Sequence, residues 1–306
     1  MEGVARTLTS YTHLLTKAQV NTLRRILEQS GFLFKEKPHA LFAATGEKLH
    51  VSVYEKGPKV LLQGKGTEDF VRFTLEPEIL GTAELGYEEE NNPEMFEPHF
   101  GIDESGKGDF FGPLVIAGAY TDRKSARILL DAGVMDSKKI ADPKIRKLAG
   151  LIRETPGLDH EVIMISPRKY NELYSKIGNL NKLLAWGHAT VIENLCAKRP
   201  DCQRALSDQF ANPSRLRSAL GKNGRAIHLQ QRTKAESDIA VAAASILARD
   251  KFVWWIEQAS EKYEMSIPKG ASKAVRETAG KLVGKHGKTI LFDIAKTHFR
   301  TASEWL

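Results

Sequence analysis

The sequence is poor in cysteine and has no long apolar run. Its two cysteines, Cys196 and Cys202, can neither complete a zinc quartet nor build a disulfide framework, so both are expected as reduced thiols. No stretch approaches the roughly 20 apolar residues that a bilayer-spanning helix needs. The N-terminal segment MEGVARTLTSYTHLLTKAQ also lacks a continuous apolar core followed by a small-residue cleavage site. A cytoplasmic protein with no membrane contact is therefore expected. No internal repeat of useful period is present, which argues against solenoids and propellers. The composition is not extreme either: 42% hydrophobic and 27% charged residues set aside the disordered and fibrous classes.

What is present is a mild basic excess spread over 306 residues, a length that suggests two domains. Lys and Arg total 45 against 38 Asp and Glu, a formal charge of +7. That balance favours a polyanionic partner, although a basic protein without one would show the same arithmetic. Nothing calls for an obligate oligomer, and a monomer is expected.

From Thr16, the segment TKAQVNTLRRILEQSGF sets Val20, Leu23, Ile26 and Leu27 at helical spacing between a capping threonine and a stopping Gly31. FLFKEK, ALFAAT, LHVSVYE and KVLLQG then read as antiparallel strands separated by turns, and Thr67 to Leu75 as a second helix. Residues 1–82 are thus expected to form a small α+β domain. The acidic, aperiodic stretch YEEENNPEMFEP falls in an expected linker at 83–98, or else is a solvated loop within one domain. Beyond it, 99–306 alternates strands such as HFGIDES, HEVIMIS and RALSDQF with long helical segments, which indicates an α/β domain with a mixed sheet.

The densest chemistry lies in GIDESGKGDFFGPLVIAGAY. Asp103 and Glu104 are adjacent on an apolar strand, and neighbouring strand residues point to opposite faces. They can share a site if the strand ends or bulges there, which Gly106 and Gly108 permit. Glycines would also admit backbone N–H groups to a phosphate or sugar, with Lys107 adding positive charge. A polar turn would use the same residue types. Hydrolysis of a phosphodiester by hard metal ions needs three or four carboxylates from different elements. Asp208 ends a short strand before the Asn212-Pro213 turn. Glu236 and Asp238 open a helix, where ordinary capping also favours acids.

Together these segments resemble the type 2 ribonucleases H and, within them, the ribonuclease HIII subfamily. GIDESGKGDFFGPLV is similar to the family's Asp-Glu-x-Gly-x-Gly signature, DSKKI at 136–140 to its Asp-Ser-Lys segment, SDQF to the third acid and TKAESDIAVAAASILAR to the fourth. GNLNKLLAWGHA, IPKGAS and AKTHF also look like family segments. The resemblance implies a ribonuclease-H-like catalytic domain preceded by a TATA-binding-protein-like domain that binds substrate. It implies Asp103, Glu104, Asp208 and Glu236 as catalytic ligands of two Mg2+ or Mn2+ ions, cutting the RNA strand of RNA–DNA hybrids to leave 5′-phosphate and 3′-hydroxyl ends. For the fourth acid, the Lys-Ala-acid triplet selects Glu236, whereas counting back from AAASILAR nominates Asp238.

Only a site that reads the 2′-hydroxyl can separate RNA from DNA, and Ser105, Gly106, Lys107 and Gly108 are the candidates. Lys138 and Lys139 suit phosphate contact, or form a solvated pair. Asn179 and Asn181 suit hydrogen bonds to the hybrid, or mark a helix cap. His188, His228, His286 and His298 show no paired ligand spacing and read as core or surface histidines. Two other functions stay open: cleavage at single embedded ribonucleotides, as in ribonuclease HII, and non-catalytic nucleic-acid binding.

Overall fold

The chain was analysed as a computed structural model that describes residues 8–306 apart from the side chain of Lys139. It divides into two compact units, Met1–Pro93 and Glu94–Leu306. The first is one antiparallel sheet in the order β1-β5-β4-β3-β2, with strands β1 Ser10–Leu14, β2 Leu33–Lys35, β3 Ala40–Thr45, β4 His50–Tyr54 and β5 Lys59–Gln63. Alternation sends Val51, Val53, Val60 and Leu62 to one face, where they meet Leu23 and Leu27 of helix α1 Lys17–Gln29. The expected cap is present as a reciprocal box: Gln19 N–H donates to Thr16 Oγ1, and Thr16 N–H to Gln19 Oε1. The second helix opens as α2 Thr67–Phe70 and continues in wider π-type turns over Val71–Leu80, past the expected Leu75. Pro77 cannot donate into a regular ladder there. Strand β1 escaped the sequence reading because its residues are almost all exposed and carry no apolar alternation.

The expected 83–98 linker is shared between the units. Helix α3 Glu88–Asn91 belongs to the first, whereas Met95 and Phe96 are buried in the core of the second. That second unit is a sheet in the order β10-β9-β6-β7-β8, made of β6 His99–Ser105, β7 Leu114–Thr121, β8 His160–Ile165, β9 Arg204–Asp208 and β10 His228–Arg232. β6, β9 and β10 run parallel, and β7 is antiparallel to both β6 and β8. Its helices are α4 Arg123–Asp131, α5 Asp142–Glu154, α6 Pro167–Ile177, α7 Leu180–Lys198, α8 Pro213–Ala219, α9 Ile239–Lys262, α10 Lys273–His286 and α11 Ile290–Ile294. One apolar core forms around α9, and a second, on the opposite face of the sheet, around α7.

Both cysteines are free and buried, and burial pushes the Cys196 thiol up to about 11, so neither is a nucleophile near neutral pH. Among the described residues no helix is long and apolar enough to cross a membrane.

Helix α9 lies against β6 more closely than side chains normally allow. A Cβ on Gly101 would overlap the backbone of Ala240 and Val241. Gly101→Ala is therefore expected to destabilise the protein by about 3 kcal/mol or more, because main chain has to move. Urea unfolding of the two proteins measures this, and an unchanged midpoint would contradict the close contact.

Candidate active site

β6 stays in regular register with β7 through Ser105, so it neither ends nor bulges at the acidic pair, contrary to the expectation. Its other edge opens instead. Pairing with β9 stops at Ile102 and Ser207, and beyond that point the two parallel strands frame a gap at their C-terminal ends. Such gaps are where open α/β sheets place ligands. Asp103, Glu104 and Asp208 all line a cleft there of about 450 Å³, together with Ser105, Gly106, Lys107, Gly108 and Lys138.

Because adjacent side chains alternate, each acid of the pair meets a different helix. Asp103 turns to α9, where the Ser245 hydroxyl donates to it. Ser245 in turn bonds Ser137 at 2.8 Å, which ties the Asp-Ser-Lys segment to the acid. Burial, then the Glu104 charge, and more weakly Asp208, push the Asp103 carboxyl up to about 7 despite the Ser245 hydrogen bond.

Glu104 turns to α7 and behaves in the opposite way. Burial works to raise it, but His188 and Lys107 prevail and hold the carboxyl below its ordinary range. His188 Nε2 lies 3.0 Å from Glu104 Oε2, and Lys107 Nζ 3.3 Å from Oε1. The other ring nitrogen of His188 lies 3.1 Å from Ser207 Oγ, beside Asp208. Asp208 itself accepts the Ala235 N–H at 3.3 Å. That bond links the end of β9 to the short 3-10 turn Ala235–Ser237, which carries Glu236.

Glu236 faces Lys138, with Nζ to Oε1 at 3.3 Å. Asp238 is engaged elsewhere: it caps α9 by accepting the Ala240 and Val241 N–H groups and pairs with buried His99 at 2.9 Å. Asn179 caps α7 by accepting the Lys182 N–H at 3.1 Å, and neither it nor Asn181 lines the cleft. The side chain of Lys139 lies outside the described residues.

Sequence reasoning missed His188, which is fully buried yet joins two parts of the acidic centre. No spacing rule reveals it, since its partners are 84 and 19 residues away. It also missed Arg249, which reaches the cleft wall beside Lys269, both holding Asp142 at 2.6 Å.

Among the described residues, no group of three or more carboxyl, imidazole or thiol side chains is gathered closely enough to form a closed metal shell. The donor chemistry still fits a hard divalent cation. The acids in the cleft offer oxygen alone, and a cation would offset the burial and the Glu104 and Asp208 charges that raise Asp103.

Comparison with known proteins agrees with this chemistry. The family model described as Ribonuclease HII matches residues 100–302. At nearly full length the chain is 44% identical to the Ribonuclease HIII of Chlamydia pneumoniae, over 95% of this chain and 96% of that protein. It is 42% identical to that of Chlamydia muridarum, over 97% of each. Among solved structures, Bst-RNase HIII in complex with Mn2+ superposes with a TM-score of 0.65 at 29% identity, covering 97% of both chains. RNase H3 of Aquifex aeolicus superposes with a TM-score of 0.55 at 27% identity, over 95% of this chain and all of that one. The fold is thus that of a type 2 ribonuclease H. Within that class, the chain belongs to the ribonuclease HIII family.

Removing the imidazole would leave Glu104 and Ser207 without their shared partner. His188→Ala is expected to lower metal affinity or turnover by roughly 10- to 100-fold with little loss of secondary structure. Steady-state kinetics read alongside circular dichroism tests this, and parental kinetics in a folded variant would show that the bridge is idle.

Proposed function

We propose that the protein hydrolyses the RNA strand of RNA–DNA hybrids, leaving 5′-phosphate and 3′-hydroxyl ends, with Asp103, Glu104, Asp208 and Glu236 as its metal-holding acids. The observation that carries this reading is the cleft itself, whose lining three carboxylates from two parallel strands share with Lys107, Lys138, Arg249 and Lys269. Family membership supports the same chemistry. Glu236 is preferred to Asp238 as fourth acid because Asp238 is already committed to a helix cap and to His99. When bound, two Mg2+ or Mn2+ ions supply Lewis-acid activation of the attacking water and of the departing 3′ oxygen.

The residues of the chain do the rest. Ser245 and His188 fix the two carboxylates of the pair from opposite faces of the sheet. Lys107 and Lys138 stand where phosphate oxygens would arrive. The turn at Ser105–Gly108 offers backbone to the sugar edge, where the 2′-hydroxyl distinguishes RNA. Substrate binding by the N-terminal unit belongs to the same proposal. The sheet face turned away from α1 carries Lys35, His50, Lys59 and Gln63, which suits phosphate contact.

Three labelled duplexes test the proposal: an RNA–DNA hybrid, all-DNA, and DNA with a single ribonucleotide, each with and without Mg2+. Metal-dependent cutting of the hybrid is expected, with no cutting of all-DNA. Asp103→Asn should abolish the activity, and undiminished cutting by that variant would overturn the metal-site assignment. Preferential cutting at the single ribonucleotide would favour the ribonuclease HII type of specificity.

A further inference from the structure

Lys296 is a fully buried lysine with no role in the cleft described above. Its amine lies 2.9 Å from the Asp109 carbonyl and 2.7 Å from the Gly112 carbonyl, donating to both. Both acceptors belong to the hairpin between β6 and β7, which begins with Ser105–Gly108. Its main chain takes part as well: Lys296 N–H donates to Phe110 O at 2.8 Å, and Gly112 N–H to Ile294 O at 2.9 Å. A second segment grips the same hairpin, since Phe110 N–H donates to Gly270 O and Gly270 N–H to the Asp109 carboxylate. Lys269 of the IPKGAS segment lines the cleft, whereas Gly270 beside it and Lys296 of AKTHF hold the hairpin.

A buried amine is costly unless its hydrogen bonds are specific. Burial lowers Lys296 to about 7, opposed by the Asp109 charge. Either protonation state has the two N–H donors that the carbonyls require. The Tyr170 ring lies 5.7 Å from Nζ, and burial and then the Lys296 charge lower His298. The hairpin has little freedom of its own. Gly106 has φ +88°, and a Cβ there would overlap the Pro113 carbonyl.

We infer that Lys296 is a positioning residue for substrate recognition: with the Gly270 segment it sets the height of the Ser105–Gly108 turn, and so how tightly the ribose edge of an RNA strand is held. The inference rests on the proposed function and deepens it. It concerns the hairpin and not the acids, so metal binding should be left intact when the mount is loosened.

The test compares the parent with Lys296→Met, Lys296→Arg and Asp109→Ala, the last loosening the second grip in case Lys296→Met fails to fold. Expected for Lys296→Met and Asp109→Ala is a KM for hybrid raised roughly 10-fold with a smaller change in kcat. Weaker hybrid binding by fluorescence anisotropy in EDTA and unchanged Mn2+ binding by calorimetry should accompany it. Lys296→Arg, which keeps donors on the carbonyls, should recover part of the KM. Parental KM and anisotropy in folded Lys296→Met or Asp109→Ala would overturn the inference, as would losses that merely follow the unfolded fraction. If the parent itself cuts no hybrid, the proposed function fails instead, and the two failures are therefore distinct.

Discussion

The site depends on how closely two helices approach the two faces of one strand. Asp103 and Glu104 are neighbours on β6, and the pleat sends them to opposite faces of the sheet. Each face must therefore supply its own support. α9 closes on one because Gly101 leaves its backbone room, which puts Ser245 against Asp103. α7 closes on the other, with Gly187 packed on the Ile116 side chain, which puts His188 against Glu104. Remove either contact and one of the two buried acids would lose the side chain its helix supplies.

The two supports differ in chemistry, and that divides the labour of the acids. Glu104 is given a histidine and a lysine, and so stays ionised. Asp103 is given only a hydroxyl and a backbone N–H, beside two other negative charges, and its ionisation is resisted. An acidic centre built this way holds one carboxyl in its charged form and resists the ionisation of the other.

Much of this was legible in the chain. The Thr16 box, the strand carrying the acidic pair and the small-residue helix after Asp238 could all be read from local pattern, because each is fixed by neighbours in sequence. β1 and β10 were not read, since one is exposed and the other, HLQQR, carries little apolar character. The opening of β6 beyond Ile102 was also out of reach, because it depends on where β9 stops pairing. Glu236 and Asp238 illustrate the limit best. Both sit at a helix start, where local rules treat acids alike, and only the tertiary partners His99 and Lys138 separate them.

Each cation around the cleft is already held by a carboxylate. Lys107 is held by Glu104 and Lys138 by Glu236, whereas Arg249 and Lys269 share Asp142, which lies outside the acidic centre. On the proposed assignment, a divalent ion competes with Lys107 and Lys138 for their carboxylates and so turns both lysines toward phosphate. Phosphate that captures those lysines frees the same carboxylates for the ion. Two ligands that each release the other's partner bind with positive coupling, and the coupling is reciprocal by thermodynamic necessity. Arg249 and Lys269 stand outside that exchange, because neither a metal nor a phosphate needs to displace Asp142 for them to remain in place. On that assignment the cleft would combine a fixed pair of cations with a pair released on loading, and its electrostatic grip on nucleic acid would be strongest in the metal-loaded state.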